Sequence, residues 1–411
     1  LPDVWTIENA PRFERLETNT AADVAIIGAG YSGLVAALDL LARGVSVVVV
    51  DAAAPGSGAS GRNAGHFAPM MLGSKKNPDD VMKALGPVRG ERWNRRVAGS
   101  GRTLGDFTAA IACDLRPGYL CVSRTAASLD RARTKFAAWE RYGGVFTALD
   151  ADETASRVGT DRYAGGILLP EGGTLHPLKF VLGLAAFVRA GGGSIHGETP
   201  ATAIERHGHA WRVRTPRGHI DAAHVLLATG ASAPLFPEMA GTVYPVGCSI
   251  AATAPLSVSP MPGTHAFIDL DDPAIFSPAT DAEQRLVVSA LSETRHPALP
   301  AAARPAERRL ARTYPQFAPR FESLSSGTIG VTPDGLPRLF RLGDTLHALA
   351  GCNGFGLTLG IAAAREAAAM IGGTPEDDLA LPILDPAALP GHKMLPWFMR
   401  AVAVPLMNRL G

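Results

Sequence analysis

Lysine is scarce in this 411-residue chain. Of its 39 basic residues, 33 are Arg, and the six lysines are Lys75, Lys76, Lys83, Lys135, Lys179 and Lys393. No lysine therefore stands between Lys179 and Lys393. Cysteine is also sparse. Cys113, Cys121, Cys248 and Cys352 form no Cys-x-x-Cys pair and no His/Cys spacing suited to zinc, so no metal site is expected. Scattered single cysteines fit a reducing cytosol rather than a disulfide framework. Net charge is nearly absent, 39 − 38 = +1, with no basic block, which argues against nucleic acid as a main partner. Long apolar runs are missing too. Val45–Val50 and Val225–Ala228 have strand length, far below the ~18–20 residues that span a bilayer. The polar start, with Glu8, Arg12, Glu14, Arg15 and Glu17, shows no charged-then-apolar leader pattern, so a cytoplasmic location is expected. What is abundant is apolar material. Hydrophobic residues make up 46% and charged residues 19%, enough for a large core. At ~100–200 residues per domain the length suggests two or three domains.

The first chemical signal lies near the start. Asp23–Gly28 reads as a buried strand, short and rich in Val and Ile. It runs into Gly28-Ala29-Gly30-Tyr31-Ser32-Gly33, a G-x-G-x-x-G, followed by a helical stretch, Leu34–Ala42, and a second strand, Val45–Val50. In such a unit the first Gly allows the tight turn, the second lets the backbone approach a pyrophosphate, and the third packs helix on strand. The helix start presents N–H groups and partial positive charge to phosphate. Asp51, 23 positions after Gly28, is placed to accept from a ribose diol and disfavours a 2′-phosphate. Strand, helix, strand and acid together predict dinucleotide binding.

The continuation favours FAD over NAD. A plain NAD domain would proceed to alternating helix and strand. Here Asp51-Ala52 leads into a long loop of small residues, Pro55 to His66, able to follow an extended ligand closely, with Arg62 suited to phosphate. Its segment Gly58-Ala59-Ser60-Gly61-Arg62-Asn63-Ala64-Gly65-His66 resembles the GASGRNGG-type segment of the FAD-dependent D-amino-acid-oxidase-like superfamily. The resemblance is closest to the gamma-glutamylputrescine oxidase and L-pipecolate oxidase branch. It implies that this loop follows the FAD pyrophosphate and ribityl chain to the flavin. The family pattern has a second Gly where Ala64 stands and often Gln where His66 stands.

Two further blocks carry the resemblance. The run from Gly173 to Gly230 resembles the second FAD-contacting stretch, with the strand near Ala201–Ile204 at the adenine and a strand ending in Ala228-Thr229-Gly230. His176 has a plainer reading as a satisfied turn histidine. Gly327 to Pro337 resembles the family's G-x-x-x-x-T-P-D-G-x-P signature. The turn Cys352-Asn353-Gly354-Phe355-Gly356 and the helix opening with Leu357 and Thr358 then match the element that faces the flavin's pyrimidine edge. A helix start there stabilises negative charge on reduced flavin. The implied fold is α/β (α+β overall). A Rossmann-like FAD-binding domain (21–80, 150–242 and 325–375) is interleaved with a mainly antiparallel β substrate domain (81–149 and 243–324). An N-terminal arm (1–20) and a C-terminal tail (376–411) flank them.

The implied reaction is oxidation of the C–N bond of a small amine or amino acid by hydride transfer to flavin N5, giving an imine that hydrolyses. Such chemistry rests on the cofactor and on positioning. Residues expected at the substrate are His66, Met70, Phe276, Cys352, Asn353 and Phe355. His66 is read either as a base for an ammonium or as a flavin-packing residue. An amino-acid substrate would need an Arg for its carboxylate, and Arg285, Arg295 and Arg320 are in the right block. Ser277 stands where relatives often carry Arg, which tilts the reading towards an amine without an α-carboxylate. Relatives that react with oxygen through a lysine keep it in the substrate domain, and with no lysine between Lys179 and Lys393 that role has no match here. The acceptor is therefore oxygen or a quinone or carrier, with oxygen in doubt. The position of the relatives' covalent cysteine is Gly327 here, so FAD is expected to be non-covalent. The tail, with Met394, Trp397, Phe398, Val402 and Leu406, either packs on protein or dips into a membrane surface such as the inner membrane. A non-catalytic FAD-fold binding protein is the alternative from another class.

Overall fold

The computed structural model describes residues 3–71, 76–231, 236–273, 275–291 and 299–410. Arg295 lies outside the described residues. Nine strands form one sheet around a parallel centre. Thr20–Ile27 sits between Val47–Val50 and His219–Leu227, with Leu346–Ala350 beyond the latter and Ser194–His196 beyond the former. A hairpin, Ala203–His207 with Ala210–Arg214, pairs with the other edge of His219–Leu227.

Alternation along the central strands divides the core. Val24, Ile26, Val47 and Val49 face the helices Tyr31–Leu41, Pro177–Ala190 and Ile361–Ile371. Ala25, Ile27, Val48, Val50, Val225 and Leu227 pack on the opposite face. Both faces are covered, so these strands read as continuous apolar runs.

The remaining strands make two further sheets. One is antiparallel: Ser277–Thr280, Arg285–Leu291, Tyr244–Pro255 and Phe321–Val331. The other joins Phe267–Asp269, Arg116–Ser123, Gly165–Thr174 and the two-residue strand His66–Phe67, with Thr147–Leu149 on its side. This last sheet crosses the expected domain boundaries. Gly165–Thr174 and His66–Phe67, both in the FAD-binding ranges, hydrogen-bond with each other, and Gly165–Thr174 also pairs with Arg116–Ser123 of the substrate ranges. Strand pairing is a long-range property that composition along the chain does not report.

A buried ion-pair network braces the substrate side. Arg124 Nε donates to Asp269 (2.7 Å), and Arg309 Nε donates to Asp272 (2.8 Å). Both aspartates are buried.

Candidate active site

The glycine motif sits where Thr20–Ile27 turns into Tyr31–Leu41. A Cβ on Gly30 would stand 2.8 Å from Ser60 Oγ, and one on Gly33 would stand 2.0 Å from the Gly28 carbonyl oxygen. Gly30 is the helix N-cap and has no side chain to offer the helix start, leaving that end open to an anion. Ser60 Oγ accepts from the Tyr31 N–H (3.0 Å), so the small-residue loop is fastened to the same helix start. Asp51 accepts from the Ala29 N–H at one oxygen (2.7 Å) and from the Ala53 N–H at the other (3.0 Å). Burial raises its pKa against those two bonds. Ala52 beside it is exposed. Thr199 N–H donates to the Asp51 carbonyl (2.7 Å), which brings the segment before Ala201 to this end of the site.

Asn63 organises the loop. Its Nδ2 donates to Tyr31 Oη (3.1 Å) and to the Ser60 carbonyl (2.8 Å), and its Oδ1 accepts from the Gly65 N–H (2.8 Å). Trp5 Nε1 donates to the Asn63 carbonyl (2.7 Å), so the N-terminal arm secures the loop from outside. From Gly30 the loop borders a cleft of about 890 Å³, open mouth included. Tyr31, Ser60, Asn63 and His66 line one wall; Gly230, Thr328, Ile329, Cys352, Gly354, Gly356 and Leu357 line the other. Among the described residues no charged side chain lines this cleft.

His66 ends the loop, and its tautomer follows from proton counting. Ser277 Oγ lies 2.9 Å from the Phe267 carbonyl oxygen, 2.8 Å from Tyr119 Oη and 2.8 Å from His66 Nδ1. A carbonyl only accepts, so the single Ser277 proton goes there. Its oxygen then accepts from both Tyr119 O–H and His66 Nδ1–H. Nε2 then carries the lone pair; it is buried and has no partner among the described residues. Burial pushes the imidazole down to about 4, so the ring is neutral at working pH. Sequence reasoning missed Tyr119 and the contact of Ser277 with His66. Tyr119 and Ser277 are separated by 158 positions and Ser277 and His66 by 211, and no local pattern joins them.

Four expected substrate residues lie outside the cleft lining. Phe276 is 1% exposed and packs edge-on against Phe267 in the core of the substrate side. Its neighbour Ser277 takes the opposite direction and reaches the site, as alternation along an extended chain requires. Met70 is equally buried, at the place where a Cβ on Gly144 would strike its sulfur, and does not line the cleft. Asn353 is consumed by the fold. Its Oδ1 accepts from the Thr332 N–H (2.8 Å) and the Thr332 hydroxyl (3.1 Å), and its Nδ2 donates to the Gly351 carbonyl (2.6 Å). Phe355 packs against the main core as a half-buried residue and is not among the cleft-lining side chains. Cys352 does line the cleft; burial raises its thiol pKa, so it stands there as a neutral thiol.

Other expected positions divide by role. Ala64 packs with Val4, Trp5 and Ile250 and lines a separate pocket. Thr358 is buried in a single π turn, Gly356–Gly360, that precedes Ile361–Ile371; the sequence reading had one regular helix there. His176 is the plain helix cap expected of it, its Nδ1 accepting from the Lys179 N–H (3.2 Å). Arg285 is tied to Asp281 (2.8 Å) and to the Val4 carbonyl (3.0 Å), and Arg320 is exposed.

The geometry suits FAD. An elongated cleft starts at a glycine-rich helix N-terminus beside an aspartate and ends at an aromatic-backed histidine. Two buried polar atoms on the loop, Arg62 Nε and His66 Nε2, lack partners among the described residues, as expected of groups that await a ligand. The sequence pattern of the FAD dependent oxidoreductase family, DAO, matches residues 23–370. The chain belongs to this family. As a DAO-family protein it is an FAD-dependent oxidoreductase. It is 29% identical to gamma-glutamylputrescine oxidoreductase of Escherichia coli (strain K12), over 97% of this chain and 96% of that protein. Its fold is shared with glycine oxidase from Geobacillus kaustophilus (TM-score 0.70, 20% identity, 86% of this chain and 95% of that one). L-proline dehydrogenase from P. horikoshii superposes equally well (TM-score 0.71, 17% identity, 86% of this chain and 94% of that one). Among the described residues no metal-binding cluster is present, and no helix is long and apolar enough to cross a membrane.

Proposed function

We propose that this chain oxidises the C–N bond of a small amine whose reacting carbon carries no carboxylate. The observation that carries this reading is the uncharged cleft wall. Among the described residues neither an Arg that would clamp an α-carboxylate nor an acid that would hold an ammonium lines it. Gamma-glutamylputrescine, named for the relative with near-complete coverage, fits a substrate whose acid lies far from the reacting amine. Gly30, Ser60, Asn63, Arg62 and Asp51 would hold the cofactor without a covalent link, and FAD when bound supplies the two-electron acceptor. The protein's own part is positioning and water exclusion. His66 Nε2 accepts a hydrogen bond from an N–H in the cleft and so orients it. With its pKa pushed to about 4, it is too weak a base to deprotonate an ammonium, so the substrate is used in its neutral amine form.

The acceptor proposed is a quinone or protein carrier rather than oxygen, in a cytoplasmic enzyme. Among the described residues no lysine lines the cleft, which supports this reading. The shared fold is neutral on the point, since it serves a named oxidase and a named dehydrogenase alike. The test is anaerobic bleaching of the bound flavin by polyamines, secondary amines and α-amino acids, followed by admission of air or of a dye. Bleaching by amines, with fast reoxidation by dye and slow reoxidation by air, is expected. Bleaching confined to α-amino acids would overturn the substrate reading, and prompt reoxidation by air would overturn the acceptor reading.

A further inference from the structure

The C-terminal segment carries the largest concentration of exposed apolar side chains in the described structure. Leu395–Phe398, a π turn Met399–Ala403 and Val404–Leu410 run on as one helical rod. At 1.5 Å per residue it is about 24 Å long. Its inner side is fastened to the protein. Val404 and Asn408 are buried, Arg309 Nη2 donates to the Met407 carbonyl (3.3 Å), and Tyr244 Oη donates to the Pro390 carbonyl (2.6 Å) just upstream. Its outer side shows Met394, Phe398, Val402, Leu406 and Leu410, one every fourth residue, with Trp397 beside them. Met394 is 73% exposed, Trp397 59% and Leu410 66%. A four-residue repeat drifts around a regular α-helix. The π turn, closing i to i+5, winds more slowly and keeps the row on one side.

Charge decides what covers this row. Lys393, Arg400 and Arg409 are exposed alongside it, and no Asp or Glu occurs after Asp385. An apolar row edged only by cations, with Trp and Phe within it, complements an anionic lipid surface. Two copies meeting through the same face would bring like charges together. We infer that the 394–410 rod is a peripheral anchor that lies in the interface of an anionic bilayer, its inner side held by Arg309 and Tyr244. The anchor does not depend on which amine is oxidised or on the acceptor.

The test is flotation of the FAD-loaded protein with phosphatidylcholine vesicles made with or without phosphatidylglycerol. Light scattering of the lipid-free protein runs in parallel. Binding only to the anionic vesicles, and release by salt, are expected. Leu406→Glu and Arg400→Glu should each lower the partition roughly fivefold or more, a lost cation near such a surface being worth about that factor. Flavin absorbance and turnover with a soluble dye should stay as in the parent, which shows that the fold is intact. Equal partition onto both vesicle types, or anionic binding untouched by either variant, would overturn the anchor. So would a dimer that Leu406→Glu dissociates, since the row would then be a contact between copies.

Discussion

Ser277 Oγ accepts the Nδ1–H of His66 at 2.8 Å because its own proton is committed to the Phe267 carbonyl at 2.9 Å. The pair fixes which imidazole nitrogen offers a lone pair to the cleft. Ser277→Ala leaves a buried N–H without an acceptor, which costs about 1–3 kcal/mol, and frees the ring to take either tautomer. We expect kcat/KM to fall about tenfold, with FAD still bound and KM changed less than kcat. Ser277→Thr, which keeps the hydroxyl, should recover most of the loss. Steady-state kinetics and flavin absorbance check both, and an unchanged kcat in the Ala variant would remove the positioning role.

Neutral His66 also predicts the pH–rate profile. If the protein supplies no base, kcat/KM rises with pH along the ammonium pKa of whatever amine is offered. Amines of lower pKa should shift the rising limb to lower pH by the same interval. A limb that stays fixed across substrates would point instead to a titrating protein group.

Stability should fall in mild acid. Burial lowers His66, His176 and His347 to about 4 from an ordinary value near 6.5. Between those values the unfolded chain binds more protons than the folded one, so stability grows with pH across the window. It is fully present above about 6.5 and lost progressively towards about 4. Melting temperatures measured from pH 7 to pH 4 should decline, and His347→Leu should flatten part of that slope. A level profile would contradict the burial argument.

Asn353 tests a turn rather than a catalyst. Its φ is +57°, and its side chain ties Thr332 to the strand end at Gly351. Asn353→Ala should cost about 2–4 kcal/mol, from unmet buried groups and a left-handed backbone. Asn353→Gly removes only the second cost and should be about 1 kcal/mol more stable than the Ala variant. Chemical denaturation distinguishes them. If Ala and Gly are equal, the backbone contribution is absent.

Gly30→Ala places a methyl carbon 2.8 Å from Ser60 Oγ, at the helix start proposed to take the cofactor's phosphate. The loop must move or the ligand must. We expect the variant to purify with at least tenfold weaker FAD affinity yet fold normally, as far-ultraviolet circular dichroism would show. Acid precipitation of the parent should release all its yellow colour, since Gly327 occupies the covalent position. Full flavin retention by Gly30→Ala would refute the phosphate role.

The glycine turn and its aspartate were legible in the sequence, and the surroundings of His66 were not. Gly28, Gly30, Gly33 and Asp51 are local in sequence, and their spacing alone dictates the turn, the helix start and the acid. Element ends were less legible. The first strand begins at Thr20 rather than Asp23 because Thr20 and Ala21 pair with Ile220 and Asp221 at a polar rim. Similarly, the strand that ends at Leu227 begins as far back as His219. Its middle, Asp221 to His224, looks polar because Asp221 pairs with Arg212 on a neighbouring strand (2.7 Å). Phe276 and Ser277 show the limit most plainly. Both lie where the chain approaches the site, and which one faces it depends on the phase set by Ile275, whose φ is +62°. Nothing in the local composition sets that phase.

The two-residue strand His66–Phe67 is paired with Thr174 and Gly173, and those two are paired in turn with Arg116 and Pro117. The loop that begins at the phosphate end is thus riveted into the sheet of the other half of the molecule. The halves cannot swing apart about a hinge without breaking this rivet. Substrate and product must pass through the mouth of a standing cleft. The rate of turnover should then respond to the size of the mouth-lining side chains and little to solvent viscosity.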